Sequence, residues 1–123
     1  MNQDQVRMLR RTLKQRLSER WTLGDMAELC FLSPFYFCRQ FKVTTGLSPY
    51  QYLIALRIDH AKHLLSQKPR CYTHLVDVAY RCGFSDQAHL NRHFKRHVGM
   101  TPGQFARAQQ IPPLRSRPNA RQN

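Results

Sequence analysis

The sequence predicts an all-α protein of seven helices that holds two copies of one helix-turn-helix unit. Apolar residues recur at helical spacing along the chain, and no window alternates convincingly at a period of two. Residues 23–52 and 75–105 repeat each other, at an offset of 52 before the turn and 53 after it. The repeat includes polar matches, Arg39 with Arg92 and Lys42 with Lys95, which packing alone does not require.

The composition is strongly basic. The chain has 123 residues, enough for one ordinary domain or two very small ones. It carries 20 lysines and arginines against 7 acidic residues, a formal net charge of +13, and fifteen of the 20 are arginine. Such an excess of positive charge is typical of proteins that bind nucleic acid or an anionic membrane surface. The sequence has neither a membrane-spanning apolar run nor a secretory signal, which predicts a cytoplasmic protein associated with the nucleoid.

The first predicted helix is amphipathic. Its apolar side shows helical spacing and consists of Val6, Leu9, Leu13 and Leu17. Its outer side is basic and consists of Arg7, Arg10, Arg11, Lys14 and Arg16. That basic side is equally consistent with contacts to phosphate and with a solvated surface.

Capping signals predict the next two helices. Thr22 followed by Asp25 resembles a capping box, which opens a short second helix. After a turn, Ser33-Pro34 places an N-cap residue before a proline, and the third helix ends at Gly46. The first copy therefore has the two helices and the turn of the motif.

The fourth helix is the longest and joins the two copies. Ser48-Pro49 repeats the Ser-Pro start, and the helix runs to about Gln67, before the breaker Lys68-Pro69-Arg70. Its apolar stripe consists of Leu53, Leu56, Ala61, Leu64 and Leu65. Arg57 lies on this helix with Asp59 nearby, and we expect it to brace the protein internally.

The second copy repeats the pattern. Thr73 is the expected cap of a helix that ends near Cys82, and Gly83 lies where the turn needs a positive φ. Phe31 takes the place of Gly83 in the first copy, so the first turn is expected to be slightly altered. Ser85 or Asp86 caps the sixth helix.

A glycine and a Thr-Pro pair mark the boundary between the last two predicted helices. The sixth helix ends near Gly99, and Thr101-Pro102 starts a seventh that runs to about Arg107. The predicted units are a first helix-turn-helix subdomain (5–47), a linker helix (48–68), a second helix-turn-helix subdomain (69–108) and a disordered basic tail (109–123).

The outward faces of the third and sixth helices carry side chains that suit DNA. In a helix-turn-helix the second helix enters the major groove. With Phe37 and Phe41 inward, the third helix presents Phe35, Cys38, Arg39 and Lys42. With Leu90 and Phe94 inward, the sixth helix presents Gln87, Ala88, Asn91, Arg92 and Lys95. Arginine can read guanine, Gln and Asn can read adenine, and an apolar side chain can meet the thymine methyl group.

The length of the linker helix predicts how the two copies meet DNA. Nineteen residues at about 1.5 Å each span roughly 28 Å. Successive major-groove segments on one side of B-DNA lie roughly 34 Å apart. The sequence therefore predicts a monomer that reads a bipartite, asymmetric site in double-stranded DNA.

Matched motifs in both copies carry a family resemblance. The second copy contains Gly83-Phe84-Ser85-Asp86-Gln87, Phe94-Lys95, Gly99 and Thr101-Pro102. The first contains Leu32-Ser33-Pro34, Arg39, Phe41-Lys42, Gly46 and Ser48-Pro49, followed by the Arg57, Ala61, Leu64-Leu65 spacing. Over about residues 5–107 the chain resembles AraC/XylS-type transcription regulators. The resemblance implies two helix-turn-helix subdomains that act on promoters, with activation and recruitment of RNA polymerase as the expected mode.

The resemblance also implies which residues contact DNA. Base contacts fall on Phe35, Cys38, Arg39, Gln87, Ala88, His89, Asn91 and Arg92. Phosphate contacts are expected from Ser33, Tyr36, Lys42, Ser85, Lys95 and Arg96. The second copy has more hydrogen-bonding side chains at its reading edge, so we expect it to be the stronger reader.

Metal, cofactor and catalytic sites are not predicted. His89, His93 and His97 follow one another at successive turns of a helix, which spreads them over about 12 Å, too far for one metal ion. The four cysteines form no CxxC pair, and Cys30 and Cys82 lie on apolar helix faces, which predicts reduced thiols. No nucleophile–base pair, phosphate loop or paired carboxylates appear, so an enzyme is not expected.

The sequence is also consistent with two other classes of DNA-binding protein. The chain could be the DNA-docking module of a DNA-repair methyltransferase-type protein, for which Cys71 beside Arg70 would be the candidate nucleophile. It could also be an architectural protein that binds DNA without sequence preference. The family usually carries a separate ligand-sensing domain, so the chain is expected to be either a small stand-alone regulator or part of a longer one.

Overall fold

The part of the chain that the computed structural model describes, residues 1–67 and 74–110, is all-α. It contains seven helices and no strand, as predicted. The helices are α1 (Gln3–Gln15), α2 (Leu23–Leu29), α3 (Pro34–Thr45), α4 (Pro49–Ser66), α5 (Leu75–Cys82), α6 (Gln87–Val98) and α7 (Pro102–Gln110). Over these ranges, none of the helices is long and apolar enough to cross a membrane.

Side-chain caps start most of the helices where the sequence predicts. The Thr22 hydroxyl accepts a hydrogen bond from the Asp25 amide at 3.0 Å, and the Asp25 carboxylate accepts one from the Thr22 amide at 3.1 Å. Ser33 and Ser48 cap α3 and α4, each with a proline in the first turn. Asp86, rather than Ser85, caps α6 through the His89 amide.

The ends of the helical region extend beyond the predicted ones. Helix α1 begins at Gln3 because Asn2 and Gln5 form a capping box ahead of the first apolar residue. Helix α7 continues to Gln110, so the prediction of disorder was wrong for residues 109 and 110. The predicted breaker 68–70, the Thr73 cap and tail residues 111–123 lie outside the described residues.

Two separate cores share the linker helix α4. The first core joins α4 to α1, α2 and α3 and contains Leu9, Leu13, Leu17, Met26, Ala27, Cys30, Phe37, Phe41, Leu53 and Leu56. The second joins α4 to α5, α6 and α7 and contains Ile54, Ile58, Ala61, Leu64, Leu65, Val78, Ala79, Cys82, Phe84, Leu90, Phe94 and Ala106. Because α4 supplies side chains to both cores, it is a structural member of each helix-turn-helix unit.

Arg57 is buried in the middle of α4, with 7% of its surface exposed. Its guanidinium donates hydrogen bonds to main-chain oxygens of Leu17 and Glu19, about forty residues earlier in the chain. The predicted role of Arg57 as an internal brace is confirmed.

The two helix-turn-helix turns have the same backbone despite the Phe31–Gly83 difference. Phe31 adopts a left-handed φ of 58°, as Gly83 does at 93°. The main-chain hydrogen bonds of the two turns also correspond. In the first turn the amides of Phe31 and Leu32 donate to the carbonyl oxygens of Glu28 and Ala27, respectively. In the second turn the amides of Gly83 and Phe84 donate to those of Tyr80 and Ala79. The expectation of an altered first turn was therefore wrong, because the hydrogen bonds and the core hold a phenylalanine in a glycine conformation.

Replacing Phe31 with glycine is expected to stabilise the protein. The left-handed conformation costs a side-chain-bearing residue about 1–2 kcal/mol, and the added freedom of glycine in the unfolded chain offsets up to about 1 kcal/mol of the gain. Phe31 is 89% exposed, so little apolar burial is lost with the ring. We expect a gain of about 0.5–1 kcal/mol in the free energy of unfolding, measured in urea.

The matched control is Phe31→Ala, which removes the ring but keeps the Cβ atom and its backbone restriction. It should leave the free energy of unfolding close to that of the wild type. An equal gain in both variants would assign the effect to the exposed ring and contradict the backbone explanation.

Candidate nucleic-acid interface

The first candidate recognition helix, α3, buries one side and exposes the other. Phe37 and Phe41 are completely buried, as the sequence pattern predicts. On the opposite side Phe35 is 72% exposed and Arg39 is exposed, whereas Cys38 is half-buried. The accessible reading edge of α3 therefore consists mainly of an aromatic ring and a guanidinium.

Arg39 lies over the ring of Phe35. The guanidinium carbon is 5.7 Å from the ring centroid, within the range of a cation–π contact. The two residues are one helical turn apart, so the contact aligns the arginine side chain along the outer face of α3. A guanidinium held in this way loses less conformational freedom when it binds a planar acceptor such as the guanine edge.

The second candidate recognition helix, α6, has the same division. Leu90 and Phe94 are completely buried and fix its orientation. At the outer edge Ala88 and Arg92 are exposed, whereas Gln87 is half-buried. The predicted outward residues of α6 thus line one edge, with Arg92 and Lys95 as exposed charged groups.

Asn91 is a partial exception on this edge. The residue is half-buried, and its Oδ1 atom is buried without a hydrogen-bond partner among the described residues. Reading adenine requires both the oxygen and the nitrogen of the amide. Asn91 would therefore have to turn its oxygen outward to make the predicted base contact, and a buried unpaired acceptor favours such a change.

His89 is held by its own helix-turn-helix turn. Its Nδ1 atom accepts a hydrogen bond from the Ser85 amide at 3.3 Å and lies 3.2 Å from Ser85 Oγ. Its ring packs edge-on against the rings of Phe84 and His93, with distances between ring centroids of 5.2 Å and 4.7 Å. Burial, followed by the charge of Arg92, lowers the pKa of His89 and favours the neutral ring that this hydrogen bond needs. His89 therefore braces the start of α6 beside the predicted reading residues.

The predicted phosphate contacts lie at the ends and flanks of the two helices. All six are exposed: Ser33, Tyr36, Lys42, Ser85, Lys95 and Arg96. Lys42 and Lys95 lie near the C-terminal ends of α3 and α6, beyond the base-reading positions. This placement suits contacts with the DNA backbone better than contacts with base edges.

An open groove between the start of α4 and the end of α6 is a feature that the sequence reasoning missed. It is lined by Leu47, Tyr50, Gln51, Ile54, Ala55, His93, Arg96 and His97. The groove carries Arg96, one of the predicted phosphate contacts. Its walls come from helices that are far apart in sequence, so local patterns carried no signal for it.

The cysteines and histidines form no reactive or metal-binding cluster in the described ranges, where no group of three metal-ligating residues comes together. Cys30 and Cys82 are buried, as predicted. Burial raises the pKa of both thiols, that of Cys82 to about 12, which makes them poor nucleophiles at neutral pH. Cys71, the candidate nucleophile of the repair hypothesis, lies outside the described residues.

Comparisons with known sequences identify the domain type. A family model described as a helix-turn-helix domain matches residues 26–108. The HTH-type transcriptional activator RhaS of Enterobacter sp. (strain 638) is 35% identical over 101 residues, which cover 82% of this chain and 35% of RhaS. The chain spans about a third of the length of the curated relatives it matches.

Comparisons with solved structures agree. The DNA-binding domain of AdpA, a global transcriptional factor solved in complex with a target DNA, is 30% identical with a TM-score of 0.75, covering 84% of this chain and 90% of that one. An AraC-type regulator from Chromobacterium violaceum shares the fold with a TM-score of 0.79 at 24% identity, covering 89% of this chain and 96% of the other. The chain therefore belongs to the AraC/XylS-type helix-turn-helix family of DNA-binding transcription regulators, which is not an enzyme family.

Proposed function

We propose that this chain binds double-stranded promoter DNA as a monomer, with α3 and α6 in adjacent segments of the major groove. The observation that carries the proposal is the matched pair of helices, each with a buried inner face and an exposed arginine, Arg39 or Arg92, at the same repeat position. Both helices pack on α4, whose eighteen residues at about 1.5 Å each span roughly 27 Å. That length is comparable to the roughly 34 Å between groove segments on one side of DNA.

Individual residues have different roles in this proposal. The base-reading residues are Phe35, Cys38, Arg39, Gln87, Ala88, Asn91 and Arg92, with His89 beside them as a brace and a weaker reader. The exposed residues Ser33, Tyr36, Lys42, Ser85, Lys95 and Arg96 contact phosphates and set the register of the protein on the duplex. The functional units are the two subdomains of residues 5–47 and 69–108 and the linker helix between them.

The regulatory output is proposed to be activation of transcription in the cytoplasm, at the nucleoid. The name of RhaS describes an activator, and AdpA is described as a global transcriptional factor bound to a target DNA. In this proposal the protein activates by recruiting RNA polymerase to the promoter from its bound position.

A footprinting experiment on a selected operator tests the proposal. Duplexes enriched from a random library should show two protected patches, about one helical turn apart and on one side of the DNA. Native mass spectrometry should find one protein per duplex. The matched control is a shuffled duplex of the same length and composition, which should compete poorly at the same salt concentration. A single protected patch, or equal competition by the shuffled duplex, would contradict bipartite sequence-specific binding.

A further inference from the structure

Arg57 ties the linker helix to the first subdomain. Its Nε atom donates a hydrogen bond to the main-chain oxygen of Leu17 at 3.1 Å, and its Nη2 atom donates one to that of Glu19 at 2.9 Å. Both oxygens belong to the segment between α1 and α2. The side chain of Leu17 is itself part of the first core, so the bonds connect Arg57 to a packed part of that subdomain.

The same guanidinium lies against the second subdomain. A Cβ atom placed on Gly83 would overlap the main-chain oxygen of Leu17 and would lie only 2.7 Å from Arg57 Nε. The turn before α6 therefore approaches both the arginine and the carbonyl to which the arginine is bonded. Leu17, Arg57 and Gly83 bring the first subdomain, the linker helix and the second subdomain together at one point.

If the side chain at position 57 served only to fill space in the core, an arginine would be an unusual residue there. Arg57 forms no ion pair with an acidic side chain among residues 1–67 and 74–110, where the two ion pairs are Arg7–Asp4 and Arg16–Glu19. Burial lowers the pKa of Arg57, which reflects the cost of taking its charge out of water. An apolar side chain could fill the same space without that cost, but it could not bond to two carbonyls in fixed directions.

We propose that Arg57 is a positioning residue that fixes α6 relative to α3 and thereby sets the half-site separation that the protein accepts on DNA. This inference rests on the bipartite binding proposed above. Two binding units joined rigidly engage both sites only at one separation, whereas a loose connection tolerates several separations at lower affinity for the best one. A clamp at the meeting point of both subdomains makes the connection rigid.

The test compares the spacing preference of the wild type with that of Arg57→Met, which keeps a long side chain but removes the donors. Duplexes carry both half-sites with the separation increased or decreased by one or two base pairs, and affinity is measured by fluorescence anisotropy. The wild type is expected to lose about tenfold in affinity at the wrong separation, and Arg57→Met about twofold. Affinity for a duplex with only one half-site should be the same for both proteins.

Two further variants make the result specific to the clamp. Glu19→Gln keeps the main-chain oxygen that Arg57 binds, so it should retain the wild-type spacing profile. Arg57→Lys can reach one carbonyl and should give an intermediate profile; it also carries the test if Arg57→Met does not fold, as judged by thermal melting.

The outcomes separate this inference from the proposed function. A flat spacing profile in the wild type would mean that bipartite binding itself is wrong. A steep wild-type profile that stays equally steep in the Arg57 variants would overturn the clamp and leave bipartite binding intact. A uniform loss of affinity at every separation, including the single half-site, would also overturn it, because Arg57 would then only support folding.

Discussion

Gly83→Ala is expected to destabilise the protein by about 3 kcal/mol, because two costs add at this position. The first is the left-handed backbone, at a φ of 93°, which a residue with a Cβ atom adopts at a cost of about 1–2 kcal/mol. The second is overlap of the new methyl group with the Leu17 carbonyl oxygen and the Arg57 guanidinium. The carbonyl belongs to the main chain and cannot turn away as a flexible side chain could. The measurement is the free energy of unfolding in urea.

Two other glycines in the chain provide matched controls. Gly46 and Gly99 also have positive φ values, 83° and 91°, but a Cβ atom on either would meet nothing within 4 Å. Gly46→Ala and Gly99→Ala should therefore show the backbone cost alone, about 0.5–1 kcal/mol once the smaller freedom of alanine in the unfolded chain is counted. If all three substitutions cost the same, the close approach between the two subdomains at Gly83 does not exist in solution.

Gly83 and Phe31 share a left-handed backbone conformation but differ in what surrounds them. The first copy tolerates a phenylalanine in the left-handed conformation because the side chain at that turn is 89% exposed. The second copy has no room for even a methyl group at the equivalent position. The repeat thus explains why both turns have one shape, while the contact between subdomains explains why glycine occurs in only one of them.

Most helix boundaries could be predicted because their causes are local. A cap acts over three residues, as in the Thr22–Asp25 box, and a glycine ends a helix through its own φ, as at Gly46. The start of α1 carried the same kind of signal in Asn2 and Gln5. The predicted helix started too late because its start was taken from Val6, the first residue of the apolar stripe, rather than from this cap.

The contacts that connect the subdomains could be predicted only in part. That Arg57 is an internal brace follows from its place on a buried helix, but its partners are main-chain oxygens about forty residues away. Every residue has a main-chain oxygen, so no residue type in the sequence marks an acceptor. The same holds for the contact at Gly83, where the sequence indicates the turn but not the carbonyl that approaches it.

Within the candidate interface, periodicity predicted which side chains face outward but not how they are held. Phe35 and Arg39 face solvent as expected, and their contact with each other follows from a spacing of one helical turn. The inward oxygen of Asn91 and the bond from Ser85 to His89 depend on side-chain rotamers. Rotamers respond to the surrounding packing, which the linear pattern does not describe.

Arg92→Ala is expected to relax specificity at one base pair of the operator and to weaken specific binding by about 1–3 kcal/mol. The arginine is exposed at the reading edge of α6, where a guanidinium can bond to guanine in two places. Lys95→Ala should instead weaken binding to all sequences alike and reduce the slope of log affinity against log salt by about one. Anisotropy titrations on the operator and its single-base variants, at several salt concentrations, measure both effects.

The repeat supplies the control for these two variants. Arg39 and Lys42 occupy the positions in α3 that Arg92 and Lys95 occupy in α6. If a residue's role follows from its place on the recognition helix, Arg39→Ala should change base preference and Lys42→Ala should change the salt slope. The base-preference effect should be smaller for Arg39, because Phe35 and Cys38 provide fewer hydrogen bonds around it than Gln87 and Asn91 provide around Arg92. Identical salt and sequence profiles for the arginine and lysine variants would show that both are general phosphate contacts, and base reading would then have to be assigned to Gln87 and Asn91.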